Sequence, residues 1–282
     1  MARHHIQSEP TSRLAIWARR MAAFAFVASF LAVIIVRSGL LEIRPALATF
    51  AGALAIAVMA IVLALAAFVV IWTEGLAGIG AALTATAVSL VLLAYPAYFG
   101  LKAYRLPWIY DITTDPIDPP RFEALARLRV RDANPTTYAG LYAAEQQRAA
   151  YPDVGPLGTN ATVQAAYDAA LTVVNKRRWR IVDARAPQAG RREGRIEAVA
   201  RTPIMGFRDD VVIRVRAETD GARIDARSSS RYGSFDFGTN AARVRGLMND
   251  IEDAIRAQKP ERPPPTQQPA KKSTGKKDQP KR

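Results

Sequence analysis

Long uncharged stretches fill the first hundred positions of this chain, and shorter alternating patterns fill most of the remainder. Met21–Val36, Pro45–Thr73 and Gly75–Leu101 contain no Asp, Glu, Lys or Arg. The second and third runs exceed the ~20 apolar residues that cross a bilayer, and the first reaches that length if its helix extends to Leu41 with Arg37 at the interface. Three transmembrane helices are therefore predicted, with Trp72, Tyr95, Tyr98, Tyr104 and Trp108 as interfacial anchors. Arg19 and Arg20 before the first run suggest a twin-arginine signal, but the flanking residues of that signal are missing and "VRSGLLEI" offers no small-residue cleavage site, so an uncleaved helix is expected. "GLAGIG" (Gly75–Gly80) has no following Lys and no preceding strand, so it reads as close helix packing rather than a nucleotide loop. Arg3, Arg13, Arg19 and Arg20 on one side balance Arg37, Arg44, Lys102 and Arg105 on the other. The first helix usually dominates, which puts the N-terminus inside and everything after Leu101 outside, the periplasm if the cell is Gram-negative.

Beyond Leu101 the period changes. Val163, Tyr167, Ala170, Leu171 and Val174 share one helical face, after Thr159 or Asn160 as a candidate N-cap. Alternation then marks four strands: Trp179–Ala184, Gly194–Thr202, Asp210–Glu218, and a run from Arg223 to Tyr232 after the turn at Thr219–Ala222. Val244, Leu247, Met248, Ile251 and Ile255 form a second amphipathic helix starting near Thr239. The fold class is α+β: three transmembrane helices, then a four-stranded antiparallel meander with one apolar and one charged face, flanked by two helices on the apolar face. The organisation is a basic segment (1–20), an anchor (21–101), a soluble domain (102–258) and a Pro/Lys-rich tail (259–282).

Composition removes several chemistries. There is no cysteine, and the only histidines are the adjacent His4 and His5, so thiolate nucleophiles, Cys-based metal sites and His-based relays in the domain are excluded. No pattern assigns a cofactor or a metal. The tail carries +6 of the formal charge of +14, with eight basic and two acidic groups and almost nothing to bury, so it is expected to be disordered. Basic and acidic residues are mixed through the domain, without an aromatic stacking platform, and no specific nucleic-acid binding is expected.

The richest polar stretch is "DARSSSRYGSFDFGTNAARV" (Asp225–Val244), preceded by "GFRDDVVIRV" (Gly206–Val215). An Asp-Asp strand (Asp209, Asp210), an Arg-Ser-x-Ser-Arg strand (Arg227, Ser228, Ser230, Arg231) and a helix entry carrying Gly233, Asp236, Gly238, Asn240 and Arg243 occur in that order. Together with "YDITTDPIDPP" and "YPDVGPL", this resembles the bacterial and plastid family known as domain of unknown function 1499, over roughly Arg105–Gln258. The resemblance brings no activity with it.

Two physical readings of Asp209, Asp210, Arg227, Ser228, Ser230, Arg231, Asp236, Asn240 and Arg243 stand side by side. In a structural clamp, buried hydroxyls find partners, Asp236 caps the last helix, and Arg227 and Arg231 pair with Asp209, Asp210 or Asp225. In an anion site, the helix N-terminus, the arginines and the serines take a phosphate or carboxylate. Asp209 and Asp210, as strand neighbours, point to opposite faces and make a poor catalytic pair. The expectation is a multi-pass protein of the bacterial inner membrane, partnered by the lipid bilayer through three helices, whose domain binds a protein or small anionic ligand without catalysis. The alternative is a carboxylate-dependent hydrolase acting at the cell envelope.

Overall fold

The computed structural model describes residues 10–39, 43–188 and 193–258. The expected tail from Lys259 lies outside them. Three long helices come first: α1 (Arg13–Ser38), α2 (Ile43–Glu74) and α3 (Ile79–Arg105), each long and apolar enough to cross a membrane. The first starts at Arg13 rather than Met21, because arginine is a good helix former and its long stem lets the backbone continue while the charge reaches solvent.

What the helices bury is small rather than greasy. On α1 the buried positions are Ala15, Ala18, Ala22, Ala25, Ser29, Ala32 and Val36; on α2 they include Ala53, Ala57, Ala60, Ala64, Ala67 and Ile71. These recur at alternating spacings of three and four, the seam of a heptad, and small residues there let helix backbones approach closely. Large side chains such as Phe24, Phe30, Leu65 and Val69 point outward.

"GLAGIG" carries the turn from α2 into α3, and the close packing expected of it falls at Gly78. Gly78 sits at φ 129°, and a β-carbon there would lie 3.3 Å from the Ala15 side chain. The turn is pinned by backbone bonds from Ser12 N–H to the Ala77 carbonyl (2.9 Å) and from Ala77 N–H to the Pro10 carbonyl (3.1 Å).

The remaining elements are β1 (Asp111–Thr113), α4 (Ala124–Leu128), α5 (Leu141–Ala150), β2 (Leu157–Thr159), α6 (Val163–Lys176), β3 (Arg180–Arg185), β4 (Glu193–Arg201), β5 (Arg208–Glu218), β6 (Gly221–Ser230) and α7 (Thr239–Gln258). They build an antiparallel sheet of six strands, not four, in the order β1-β6-β5-β4-β3, with β2 also on β6. The expected meander is β6-β5-β4-β3, with β3 at the far edge. The additions, β1 and β2, lie end to end along the free edge of β6, with Ile112 opposite Ser228 and Gly158 opposite Arg223. Each is only three residues long, too short to show an alternation, but together they satisfy backbone groups that a bare edge would leave open.

One sheet face packs on α6 and α7. Ile196, Ala198, Val211, Ile213, Ile224 and Ala226 meet Tyr167, Ala170 and Val174 from α6 and Val244, Leu247 and Ile251 from α7. Alternation predicts a charged, solvated opposite face; it is charged and buried. Phe122 and Leu125 pack there on Val199 and Val212, and Glu197, Asp210, Asp225 and Arg227 are each no more than 1% exposed. The covering chain is the irregular stretch from about 114 to 136, whose prolines keep it extended across the sheet.

The β4–β5 hairpin tip meets the end of α1. Arg37 donates to the carbonyls of Pro203 (2.5 Å) and Ile204 (2.9 Å), and Met205 is buried against Val36 and Ala46. Phe237, just before α7, meets Phe99 of α3 edge-on at 5.1 Å between ring centres.

Candidate functional site

Strand alternation divides the polar residues singled out in the sequence between the two faces of the sheet. Toward α7 lie Asp209, Ser228, Ser230, Asp236, Asn240 and Arg243. Asn240 is the hub: its amide nitrogen donates to the Tyr110 carbonyl (2.8 Å) and to Ser230 Oγ (2.9 Å), and its Oδ1 accepts from Ser228 Oγ (2.7 Å) and from Arg243. Arg243 also donates to Ser228 Oγ at 2.9 Å and pairs with Asp209. Ser228 and Asn240 are fully buried. Local sequence explains the entry to α7: Gly238 takes φ 75°, and a β-carbon there would meet Leu106 at 3.1 Å. That turn aims Asp236 back at the first helical amides, where its carboxylate accepts from Gly238 N–H (3.0 Å) and Asn240 N–H (2.7 Å). Burial nevertheless pushes the Asp236 carboxyl up to about 6, against the pull of those two amides. Asp209 is likewise raised by burial, opposed by Arg243.

Asp210, Arg227 and Arg231 lie on the other face. Asp210 is shared by Arg231 Nε and Arg129 Nε, both at 2.8 Å. Arg227, 1% exposed, forms a fork with Asp111 (2.9 and 2.6 Å), donates to the carbonyls of Pro120 (3.2 Å) and Thr136 (2.9 Å), and lies over the rings of Phe122 and Tyr138. Asp225 is surrounded by Arg214, Arg216 and Arg223.

The nine residues thus divide between the two faces, with Asp209 and Asp236 on one and Arg231 on the other. Arg227 and Arg231 do not reach the N-terminus of α7, which already holds Asp236. Among the described residues no three His, Cys, Asp or Glu side chains are grouped to hold a metal.

Several partners carry no signal of their role in the sequence. Asp111 reads there only as part of a short strand, and Arg129 as an ordinary charge. Glu197 falls on the face that alternation marks as solvated; it is fully buried, and its carboxylate accepts from the amides of Glu123 (2.8 Å), Ala124 (3.2 Å) and Leu125 (2.8 Å), capping a helix from another part of the chain. Gln147, on α5, exchanges both amide bonds with the backbone of Thr113 (3.0 and 2.7 Å), standing in for a further strand beside β1. Its burial on an otherwise polar helix has no signal in the local sequence.

Three apolar helices and an antiparallel α+β domain with an internally paired polar interior define the class of molecule. A family model described as "Protein of unknown function (DUF1499)" matches residues 111–251, half of the chain. The chain belongs to that family. No curated protein matches it.

Proposed function

We propose that the protein is a multi-pass module of the bacterial inner membrane whose domain, residues 102–258, stands on the periplasmic side and binds a ligand or protein partner without catalysis. The observation that carries this reading is the engagement of the candidate carboxylates: Asp209 by Arg243, Asp210 by Arg129 and Arg231, Asp225 by three arginines, and Asp236 by two backbone amides. Asp209 and Asp236 held this way clamp the sheet to α7, and Asp210 and Asp225 hold arginines on the opposite face. A hydrolase would need at least one of these carboxylates free to meet substrate and exchange a proton.

The alternative, a carboxylate-dependent hydrolase, draws support from Asp236, whose carboxyl near 6 suits a general acid or base at neutral pH. Melting of the full chain in detergent separates the two readings. Under the clamp reading, Asp209→Ala strands a buried Arg243 and destabilises by about 3–5 kcal/mol; Arg243→Ala does the same to Asp209, and the double variant loses less than the sum. Catalytic carboxylates are held at a cost to the fold, so the hydrolase reading expects Asp209→Ala to leave melting unchanged or raise it. That outcome would overturn the clamp.

A further inference from the structure

Twelve of the 21 described arginines between residues 102 and 258 pair with carboxylates, and four of the remaining nine lie together. Arg178, Arg180, Arg201 and Arg208 line one concavity of about 220 Å3 over Trp179 and Val199. Among the described residues none of the four forms an ion pair with a carboxylate. Arg177, at its rim, is taken up by Asp250 at 2.7 Å. Arg201 and Arg208 are directly opposite on β4 and β5, an arrangement of like charges that costs stability. The same sheet handles two other such pairs differently. Arg195 opposite Arg214 has Glu123, Glu193 and Asp225 within reach, and Arg216 opposite Arg223 has Asp115 and Asp225. Among the described residues no carboxylate pairs with Arg201 or Arg208, and burial together with Arg201, Arg231 and Arg180 lowers the pKa of Arg208.

The concavity also sits beside the end of a membrane span. Arg201 Nη1 donates to the Arg37 carbonyl at 3.1 Å, and the Arg208 guanidinium lies against Gly39, both at the end of α1. Between the two arginines the hairpin tip carries Ile204, 51% exposed, down beside the same helix end. An arginine cluster level with the end of a membrane span lies at the depth of lipid phosphates. Guanidinium forks suit phosphate oxygens.

We propose that this concavity binds the phosphate of an anionic phospholipid headgroup, which supplies the missing counter-charge and fixes the domain against the bilayer. The inference rests on the reading of α1 to α3 as a membrane anchor.

The test is melting of the full chain in dodecyl maltoside with added phosphatidylglycerol, phosphatidylcholine or inorganic phosphate. Phosphatidylglycerol is expected to raise the melting temperature by about 2–4 °C or more, the scale of a favourable charge-assisted contact in a protein of this size. Phosphatidylcholine leaves it unchanged. The combined variant Arg201→Gln, Arg208→Gln loses the rise while melting at or above the wild type without lipid, since a repulsion is gone; Arg148→Gln, an exposed arginine elsewhere, keeps the rise. Should the combined variant not fold, Arg180→Gln, at an exposed position, is expected to reduce the rise. A rise that survives in the arginine variants reports general adsorption to the micelle and overturns the site. A rise of equal size with inorganic phosphate alone overturns the lipid as its source. These melts do not depend on insertion, so carbonate extraction of membranes reports on the anchor separately: release of the chain would refute the anchor and leave the anion measurement standing.

Discussion

Asp236 shows how a single residue can serve the fold while straining against it. Its carboxylate satisfies two amides at the start of α7, yet burial raises its carboxyl to about 6. A folded-state value above the unfolded one means that the native protein holds the proton more tightly. Stability from this group is therefore complete below about pH 4 and lost as pH rises through about 6. The shift corresponds to a component on the order of 3 kcal/mol. Asp236→Asn removes it, so the variant is expected to gain on the wild type by that amount between pH 4 and pH 7. Paired melts across that range check it; parallel pH profiles would contradict the assignment. Asp236 is legible as a cap because a carboxylate ahead of an amphipathic helix is a local pattern. Alternation likewise puts Arg231 on the face opposite Ser228 and Ser230; what it cannot show is that Arg129, 81 positions before Asp210, joins Arg231 there.

At the scale of elements, the covering segment and α4 are held by a residue from the middle of the sheet. Glu197 accepts three amides at the start of a five-residue helix that has no capping side chain of its own. Glu197→Gln offers one acceptor oxygen where the carboxylate offered two. The amide of Leu125 is then expected to exchange with deuterium roughly tenfold faster or more, the factor given by losing about 1.4 kcal/mol of local protection, while the amides of α7 are unaffected. Uniform acceleration across the domain would mean that α4 opens only with the whole fold. The membrane helices pose the opposite problem for sequence reading. Every face of α2 is apolar, so hydropathy finds the span and says nothing about its orientation; the packing face is marked by size, through Ala53, Ala57, Ala60, Ala64 and Ala67.

At the scale of the molecule, three helices that each crossed the bilayer would put the two ends of the anchor on opposite sides. Arg37, Arg44 and Arg105 fall at the helix ends nearest the domain, whereas Arg13, Arg19 and Arg20 are in the opening turns of α1. With the N-terminus inside, a phosphatase fused after Gln258 is expected to be active and a cytoplasmic fluorescent reporter at the same place dark. A bright reporter with a silent phosphatase would invert the topology, or mean that one helix does not span.

By itself the sequence determined what depends on composition and period. Three apolar runs, two amphipathic helices and four alternating strands each carry their signal within a dozen or so neighbouring residues, and the ordered polar motif identified the family. Tertiary structure decided everything that depends on a partner far along the chain. The pairing of Arg227 with Asp111 spans 116 positions, and that of Arg129 with Asp210 spans 81. Such contacts convert a charged face expected to be solvated into a buried one. The physical reason is that a charge in the sequence carries no record of its environment. It reads as surface until another segment folds over it with a matching group, and whether one does is settled only when the chain packs.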